Sequence, residues 1–168
     1  MKIDYTNLYT KVYKKTIIPE VLKGVSLFAV VSCVASVCLL TVLSLVSGGV
    51  IPALKTAVIL GVPFVLVSLL RRWLNAPRPV DELDLTSLGI DTAGFKRGYS
   101  FPSRHVFSGF LISVAAMPEI PTLGVVLLLL SAALAACRVL LGIHYLKDTL
   151  VGAVLGSISA AIGLLILG

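Results

Sequence analysis

The sequence predicts an all-α membrane protein, a polytopic bundle of about five transmembrane helices with an amphipathic interfacial helix at its N-terminus. Of the 168 residues 58% are hydrophobic and only 13% are charged, about half the charged share of a soluble domain. Mean hydropathy is +1.05. A spanning helix needs about 20 apolar residues, so five spans use most of the chain. Residues 1–168 therefore form a single integral-membrane domain.

Residues 1–20 have the pattern of an amphipathic helix. Apolar side chains recur every three or four residues, while Asp4, Asn7 and several lysines share the opposite face. Tyrosines combined with lysines are typical of a helix that lies in the headgroup plane. We expect Pro19 to end this helix. A loosely ordered, solvated terminus is the alternative interpretation.

Apolar stretches of spanning length account for most of the remaining chain. The first two are joined by a tight glycine turn and form a helical hairpin. The third is short, begins after the helix cap Ser103 and is closed by Pro118 and Pro121. An odd number of spans places the two termini on opposite sides of the membrane. The spans are 24–46, 50–70, 103–117, 123–141 and 149–167.

A long polar segment, residues 71–104, separates the second span from the third. A connection of this length within a compact protein is usually functional or disordered. We interpret it as a substrate-binding loop that acts as a lid. Four of the eight acids of the chain lie in it, namely Asp81, Glu82, Asp84 and Asp91.

Two arginines follow the second span. Arg71 and Arg78 are seven residues apart, about two helical turns, so they point the same way while the helix lasts, until Pro77 and Pro79 end it. Two guanidiniums can then meet one anion. Charges this close to the bilayer are costly, and therefore indicate a function. Taken alone, however, the pair also fits arginines that anchor a span in the headgroups.

A second and a third block of polar residues lie at other span ends. Ser103 and the free backbone N–H groups at the start of the third span favour an anion, and His105 is placed to act as a general acid. In the third block Asp148 follows His144 by four residues, so its carboxylate can orient the imidazole and leave one ring nitrogen free to attack. Each pair alone is also compatible with a structural role.

The order of the spans brings all three blocks to the same face of the bundle. With Arg138, they surround a nucleophile and an acid with cationic donors, which indicates phosphoryl transfer through a phosphohistidine. We expect no cofactor and no metal, because Mg²⁺ prefers carboxylates and Asp148 is the only acid in the blocks. Nucleic acid is not an expected partner, since the basic residues sit at membrane ends.

The blocks resemble the type 2 phosphatidic acid phosphatase family, whose pattern is K-x6-R-P, P-S-G-H and S-R-x5-H-x3-D. This chain reads R-x6-R-P from Arg71, P-S-R-H from Pro102 and C-R-x5-H-x3-D from Cys137. The resemblance implies that His144 is the nucleophile, Asp148 its partner and His105 the general acid. It also implies four phosphate-binding residues, Arg71, Arg78, Ser103 and Arg138.

The chain departs from the family pattern at three positions. Arg71 replaces a lysine, which keeps the charge and changes its geometry to a planar fork. Arg104 replaces a glycine, and either crowds the site or adds a fifth cation to the phosphate-binding set. Cys137 replaces a serine and loses a strong hydrogen-bond donor. The family usually has six spans, so the chain is one span shorter.

The expected function is an integral-membrane lipid phosphate phosphatase. The substrate is a lipid phosphomonoester or diphosphate, such as phosphatidylglycerophosphate, phosphatidate, a polyprenyl diphosphate or a lipid A phosphate. A phosphotransferase using the same site and a non-catalytic protein that binds anionic lipids are the alternatives. When the four site arginines are left out, nine basic residues lie on the face of the bundle that carries the site and one, Lys55, lies on the opposite face. Because basic residues are enriched on the cytoplasmic side of a membrane, the site is expected to face the cytoplasm. The sequence leaves the oligomeric state open.

Overall fold

The computed structural model describes residues 4–15, 17–87, 92 and 96–168. Asp91 of the predicted lid lies outside the described residues. Within these ranges the chain forms seven α-helices: α1 Tyr5–Tyr13, α2 Ile17–Gly48, α3 Val50–Leu74, α4 Pro79–Glu82, α5 Arg104–Ala116, α6 Pro121–Leu140 and α7 Leu146–Leu167.

Four helices, α2, α3, α6 and α7, are long and apolar enough to cross a membrane, and α5 is a shorter apolar helix. The predicted helical membrane bundle is therefore confirmed. The 13 residues of α5 rise only about 20 Å, less than the roughly 30 Å of the hydrocarbon core. This helix occupies the centre of the bundle, where Val106, Phe107 and Leu111 are buried, and it packs most extensively against α7 and α6.

Helices α5 and α7 approach each other closely through glycines. A Cβ on Gly152 of α7 would lie 2.7 Å from the carbonyl oxygen of Ser103, so any larger residue would push the two helices apart. The Ser103 N–H also donates to the carbonyl oxygen of Asp148 at 2.9 Å. The first residues of both helices are therefore fixed relative to each other.

The N-terminal helix α1 is shorter than the expected helix 1–20. It ends at Tyr13, and Pro19 lies in the first turn of α2 instead of ending the first helix. Proline is accepted there because the N–H groups of a first turn need no intrahelical partner. The apolar face of α1 packs on protein, with Tyr9 fully buried in a cluster with Val80 and Leu85.

Two tyrosines of α1 also reach the turn between α6 and α7. The Tyr13 hydroxyl donates to the carbonyl oxygen of Leu141, and the Tyr5 hydroxyl accepts from the N–H of Leu146, both at 3.2 Å. The ring of Tyr5 also meets that of Tyr145 edge to face, with centroids 5.1 Å apart. Helix α1 thus straps the connections at one end of the bundle together.

Helix α3 ends earlier than the sequence pattern predicted. Its C-cap is Asn75, in the left-handed conformation with φ 40°, and the chain then extends through residues that Pro77 and Pro79 keep out of the helical region. The prediction that Arg71 and Arg78 share one helix face is therefore wrong. Arg78 is instead the N-cap residue of α4.

Candidate active site

A polar cavity of about 1070 Å³ opens at the end of the bundle where α3 and α6 end and α5 begins. Most of the predicted site residues line it. The two others, Ser103 and Asp148, are fully buried beside it. The predicted residues on the cavity wall are Arg71, Arg78, Arg104, His105, Arg138 and His144.

His144 and Asp148 are linked through a third residue that the sequence analysis missed. The Nδ1 of His144 lies 3.6 Å from Asp148 Oδ2, beyond a normal hydrogen bond. Between them the Ser100 hydroxyl lies 3.2 Å from His144 Nδ1 and donates to Asp148 Oδ2. The expected direct orientation of the imidazole by Asp148 is therefore replaced by a relay through Ser100.

This relay determines which nitrogen of His144 carries the proton. The Ser100 hydroxyl donates its hydrogen to the carboxylate, so its oxygen can accept one from Nδ1. The Nε2 then keeps its lone pair. Burial lowers the pKa of His144 to about 4, although the nearby carboxylate of Asp148 acts in the opposite direction. The imidazole is thus neutral and able to act as a nucleophile near pH 7.

Arg71 holds the loop that contains Ser100. Its guanidinium donates to the carbonyl oxygen of Pro102 at 2.8 Å and to that of Tyr99. These two carbonyl groups flank Ser100 in the chain. The planar fork of arginine reaches both at once, which the single point charge of a lysine would do less well. The replacement of the family lysine thus has a structural consequence here, because the fork sets the path of this loop.

Arg78 holds the same loop from its other end. Its Nε donates to the carbonyl oxygen of Gly98 at 2.8 Å, and its Nη1 to that of Ile143 at 3.3 Å. Asp81 supports it by accepting from the N–H groups of Arg78 and Gly98, each at 2.8 Å. Burial acts to raise the pKa of Asp81, but these hydrogen bonds outweigh it and hold the pKa below its ordinary value.

Ser103 and Arg138 each have a buried polar atom without a protein partner among the described residues. In the described part of the chain, neither the Ser103 hydroxyl nor the Nε of Arg138 has a hydrogen-bond partner. The Arg138 carbonyl oxygen accepts from the N–H of His144 at 3.2 Å. Arg138 therefore holds the backbone at His144 and also lines the cavity. The Ser103 N–H, expected to be free, is used by Asp148.

His105 and Arg104 are exposed on the cavity side of α5. The guanidinium carbon of Arg104 lies 5.5 Å from the ring centre of Phe64 in α3. Arg104 therefore packs against α3 on the cavity wall, where it adds a cation.

Two other sequence predictions concern the cavity walls. Cys137, which replaces the family serine, is buried and is not among the described residues that line the cavity. Of the segment 71–104, the described wall residues include Val80, Gly98 and Tyr99. The segment therefore contributes to the cavity, and its action as a lid stays a prediction.

Ser100 and Asp81 are the functional neighbours that sequence reasoning did not identify. Asp81 was foreseeable, because an acid three residues after a helix N-cap can accept from the N–H of that N-cap residue, as Asp81 does from Arg78. Ser100 gave no such signal. Its contacts with His144 and Asp148 depend on the path of a loop without a regular period.

Comparison with known proteins extends these observations. The model of the PAP2 superfamily matches residues 52–167, more than half of the chain. The crystal structure of a transmembrane PAP2 type phosphatidylglycerolphosphate phosphatase from Bacillus subtilis is similar, with a TM-score of 0.72 and 17% identity over 96% of this chain and 81% of that one. Aquifex aeolicus LpxE has a TM-score of 0.69 and 19% identity over 95% of this chain and 92% of its own. Curated proteins give no match.

Proposed function

Because the chain belongs to the PAP2 superfamily, we propose that it is a lipid phosphate phosphatase that works through a phosphohistidine on His144. The family resemblance seen in the three motif blocks is confirmed by this match. The observation that carries the proposal is the relay from His144 through Ser100 to Asp148. A protein that only bound anionic lipids would not need a buried, neutral and oriented imidazole.

In the first step, the Nε2 of His144 attacks the phosphorus atom. His105 enters this step as the imidazolium, stabilised by the bound phosphate anion. The bond from phosphorus to the lipid oxygen breaks, and His105 gives its proton to the departing oxygen and becomes neutral. The reacting phosphoryl group spreads negative charge over its three equatorial oxygens. The Nε of Arg138 and the buried Ser103 hydroxyl have no protein partner in the described chain, and in this proposal they stabilise that charge where it develops.

In the second step, water attacks the phosphohistidine. His105, now neutral, accepts the proton of the water, the bond from phosphorus to Nε2 breaks, and inorganic phosphate leaves. The proposal includes independence from metal ions, which rests on the donor set. Several guanidiniums on the cavity wall supply the positive charge that a divalent cation provides in other phosphoryl-transfer sites.

A lipid substrate follows from the position of the cavity. The chain is a multi-pass membrane protein, and the cavity lies at one end of its apolar helices. A phosphate carried by a lipid is already concentrated at that depth. The solved structures with the same fold include a phosphatidylglycerolphosphate phosphatase, which supports the same class of substrate.

The test is phosphate release in detergent with EDTA present, from a panel of lipid phosphates. His144→Gln and His105→Gln form a matched pair, since each removes one imidazole from the same cavity. We expect His144→Gln to abolish both turnover and the labelled phosphoenzyme trapped in alkaline quench. His105→Gln should slow turnover and still form the phosphoenzyme. Phosphate labelling that survives in His144→Gln would refute the assignment of the nucleophile. Binding of the lipid without release of phosphate would favour a lipid-binding protein. Transfer of the phosphoryl group to added glycerol would indicate a phosphotransferase.

A further inference from the structure

Arg104 occupies a position that separates two cavities. An apolar groove of about 530 Å³ runs between α2, α3, α5 and α6, lined by residues such as Val37, Leu60 and Ile112. Phe64, Arg104 and His105 line both this groove and the polar cavity. They therefore mark the boundary at which a charged headgroup would give way to an apolar tail.

The side chain of Arg104 is held at this boundary. Its guanidinium lies over the Phe64 ring at 5.5 Å from the centroid, within the range of a cation–π contact. The ring occupies one face of the guanidinium, and its N–H groups, which lie in the plane, stay available. Arg104 thus presents donors where the polar cavity meets the groove.

The charge of the polar cavity exceeds what one phosphate needs. Arg71 and Arg78 direct N–H groups to loop carbonyls, and Arg97 lies 3.5 Å from a carboxylate oxygen of Asp81. In the ranges that the structure describes, Arg104 and Arg138 form no ion pair. Arg138 lines the polar cavity together with His144, where the transferred phosphate is proposed to bind. Arg72 and Lys96 also line this cavity, but among its described arginines and lysines Arg104 alone also lines the apolar groove. Arg104 is therefore placed for an anion on the side of the tail.

We propose that Arg104 binds a second phosphate of the substrate, one that lies between the transferred phosphate and the apolar tail. The preferred lipids are then diphosphates, or phosphomonoesters linked to the tail through a phosphodiester, ahead of lipids that carry one phosphate only. The inference rests on the proposed function for the position of the transferred phosphate. It assigns a purpose to the arginine that stands in place of the family glycine.

The test compares two substrates with one tail, farnesyl diphosphate and farnesyl monophosphate. We expect the native protein to favour the diphosphate at least tenfold in kcat/KM, and Arg104→Gly to reduce that ratio about tenfold. Arg72→Gln is the matched control, because it removes another exposed arginine from the same cavity wall and should leave the ratio within twofold. An unchanged ratio in Arg104→Gly, or an equal loss in Arg72→Gln, would overturn the proposal.

A binding measurement separates this proposal from the proposed reaction. Both lipids are titrated into His144→Ala and into His144→Ala combined with Arg104→Gly. Tighter binding of the diphosphate that depends on Arg104 supports the second phosphate site even if the native protein releases no phosphate. Equal affinity for the two lipids in His144→Ala overturns the site, even if phosphate release by the native protein is established.

Discussion

Removal of the Ser100 hydroxyl tests whether the relay matters for the reaction. Ser100→Ala would leave His144 Nδ1 without its acceptor and take one hydrogen bond from Asp148 Oδ2. A hydrogen bond to a charged group contributes about 1.5–3 kcal/mol, and about 1.4 kcal/mol corresponds to a factor of ten in rate. The full loss would therefore be roughly 10- to 150-fold in kcat.

The structure places the expected loss near the lower end of this range. Asp148 Oδ2 still accepts from the N–H of Tyr145 at 3.0 Å. At 3.6 Å from His144 Nδ1, it needs to move only a few tenths of an ångström to bond directly. We expect kcat to fall about 10- to 30-fold. KM should stay within twofold, since Ser100 is not among the described residues that line the cavity.

The assay is steady-state phosphate release together with the rate of phosphoenzyme formation after rapid mixing. Ser113→Ala is the control, because Ser113 is a fully buried serine whose hydroxyl donates to the Gly109 carbonyl oxygen within α5. Its kcat should stay within twofold of the native value. An unchanged kcat in Ser100→Ala, or an equal loss in Ser113→Ala, would refute the relay as a positioning device.

Three further predictions concern stability, packing and orientation. The pKa of His144 is lowered from 6.5 to about 4 in the folded protein. Its contribution to stability is therefore complete above pH 6.5 and is lost as the pH falls towards 4. The melting temperature in detergent should drop over this window, and it should drop less in His144→Gln. Gly152→Ala should disturb the start of α5, lower the free energy of unfolding by about 1–3 kcal/mol and lower the activity. Gly24→Ala should change neither, because Gly24 has open space around it. Normal activity in Gly152→Ala would contradict the close-packing argument. Reporter fusions should place the N-terminus in the cytoplasm, the side expected for the site, and an external N-terminus would refute that orientation.

Much of the candidate site was predictable because a membrane restricts what a chain can do. Successive spans alternate in direction, so the order of the polar blocks already brings them to one face. The cavity indeed gathers Arg71, Arg78, His105 and His144 from separate parts of the chain. A sequence pattern is most informative where helices are obligatory and their length is fixed by the bilayer.

What the sequence did not reveal depends on hydrogen bonds to backbone carbonyl groups. Arg71 and Arg78 determine the path of the loop before α5 through the carbonyl oxygens of Tyr99, Pro102 and Gly98. Every residue has a backbone carbonyl group, so the type of residue does not indicate which carbonyl group an arginine will contact. The position of Ser100 follows from that path, and was therefore beyond prediction from residue spacing.

The end of the first helix was misjudged for a related reason. Proline ends a helix when it stands in the interior of that helix, but it is also well tolerated in the first turn of a helix. The sequence around Pro19 satisfies both descriptions, and the apolar spacing runs through it. In the structure Pro19 lies in the first turn of α2, because α1 ends at Tyr13 and α2 begins at Ile17.

The strap formed by α1 has a consequence for how the protein is made. Helix α1 is synthesised well before two of its hydrogen-bond partners, Leu141 and Leu146. At a translation rate of about 5–20 residues per second, these partners are synthesised several seconds after the tyrosines of α1. His144 is translated between those partners, so these contacts of α1 form only after the turn that contains His144 has been synthesised. The end of the bundle that carries the polar cavity is therefore closed late in the synthesis of these helices.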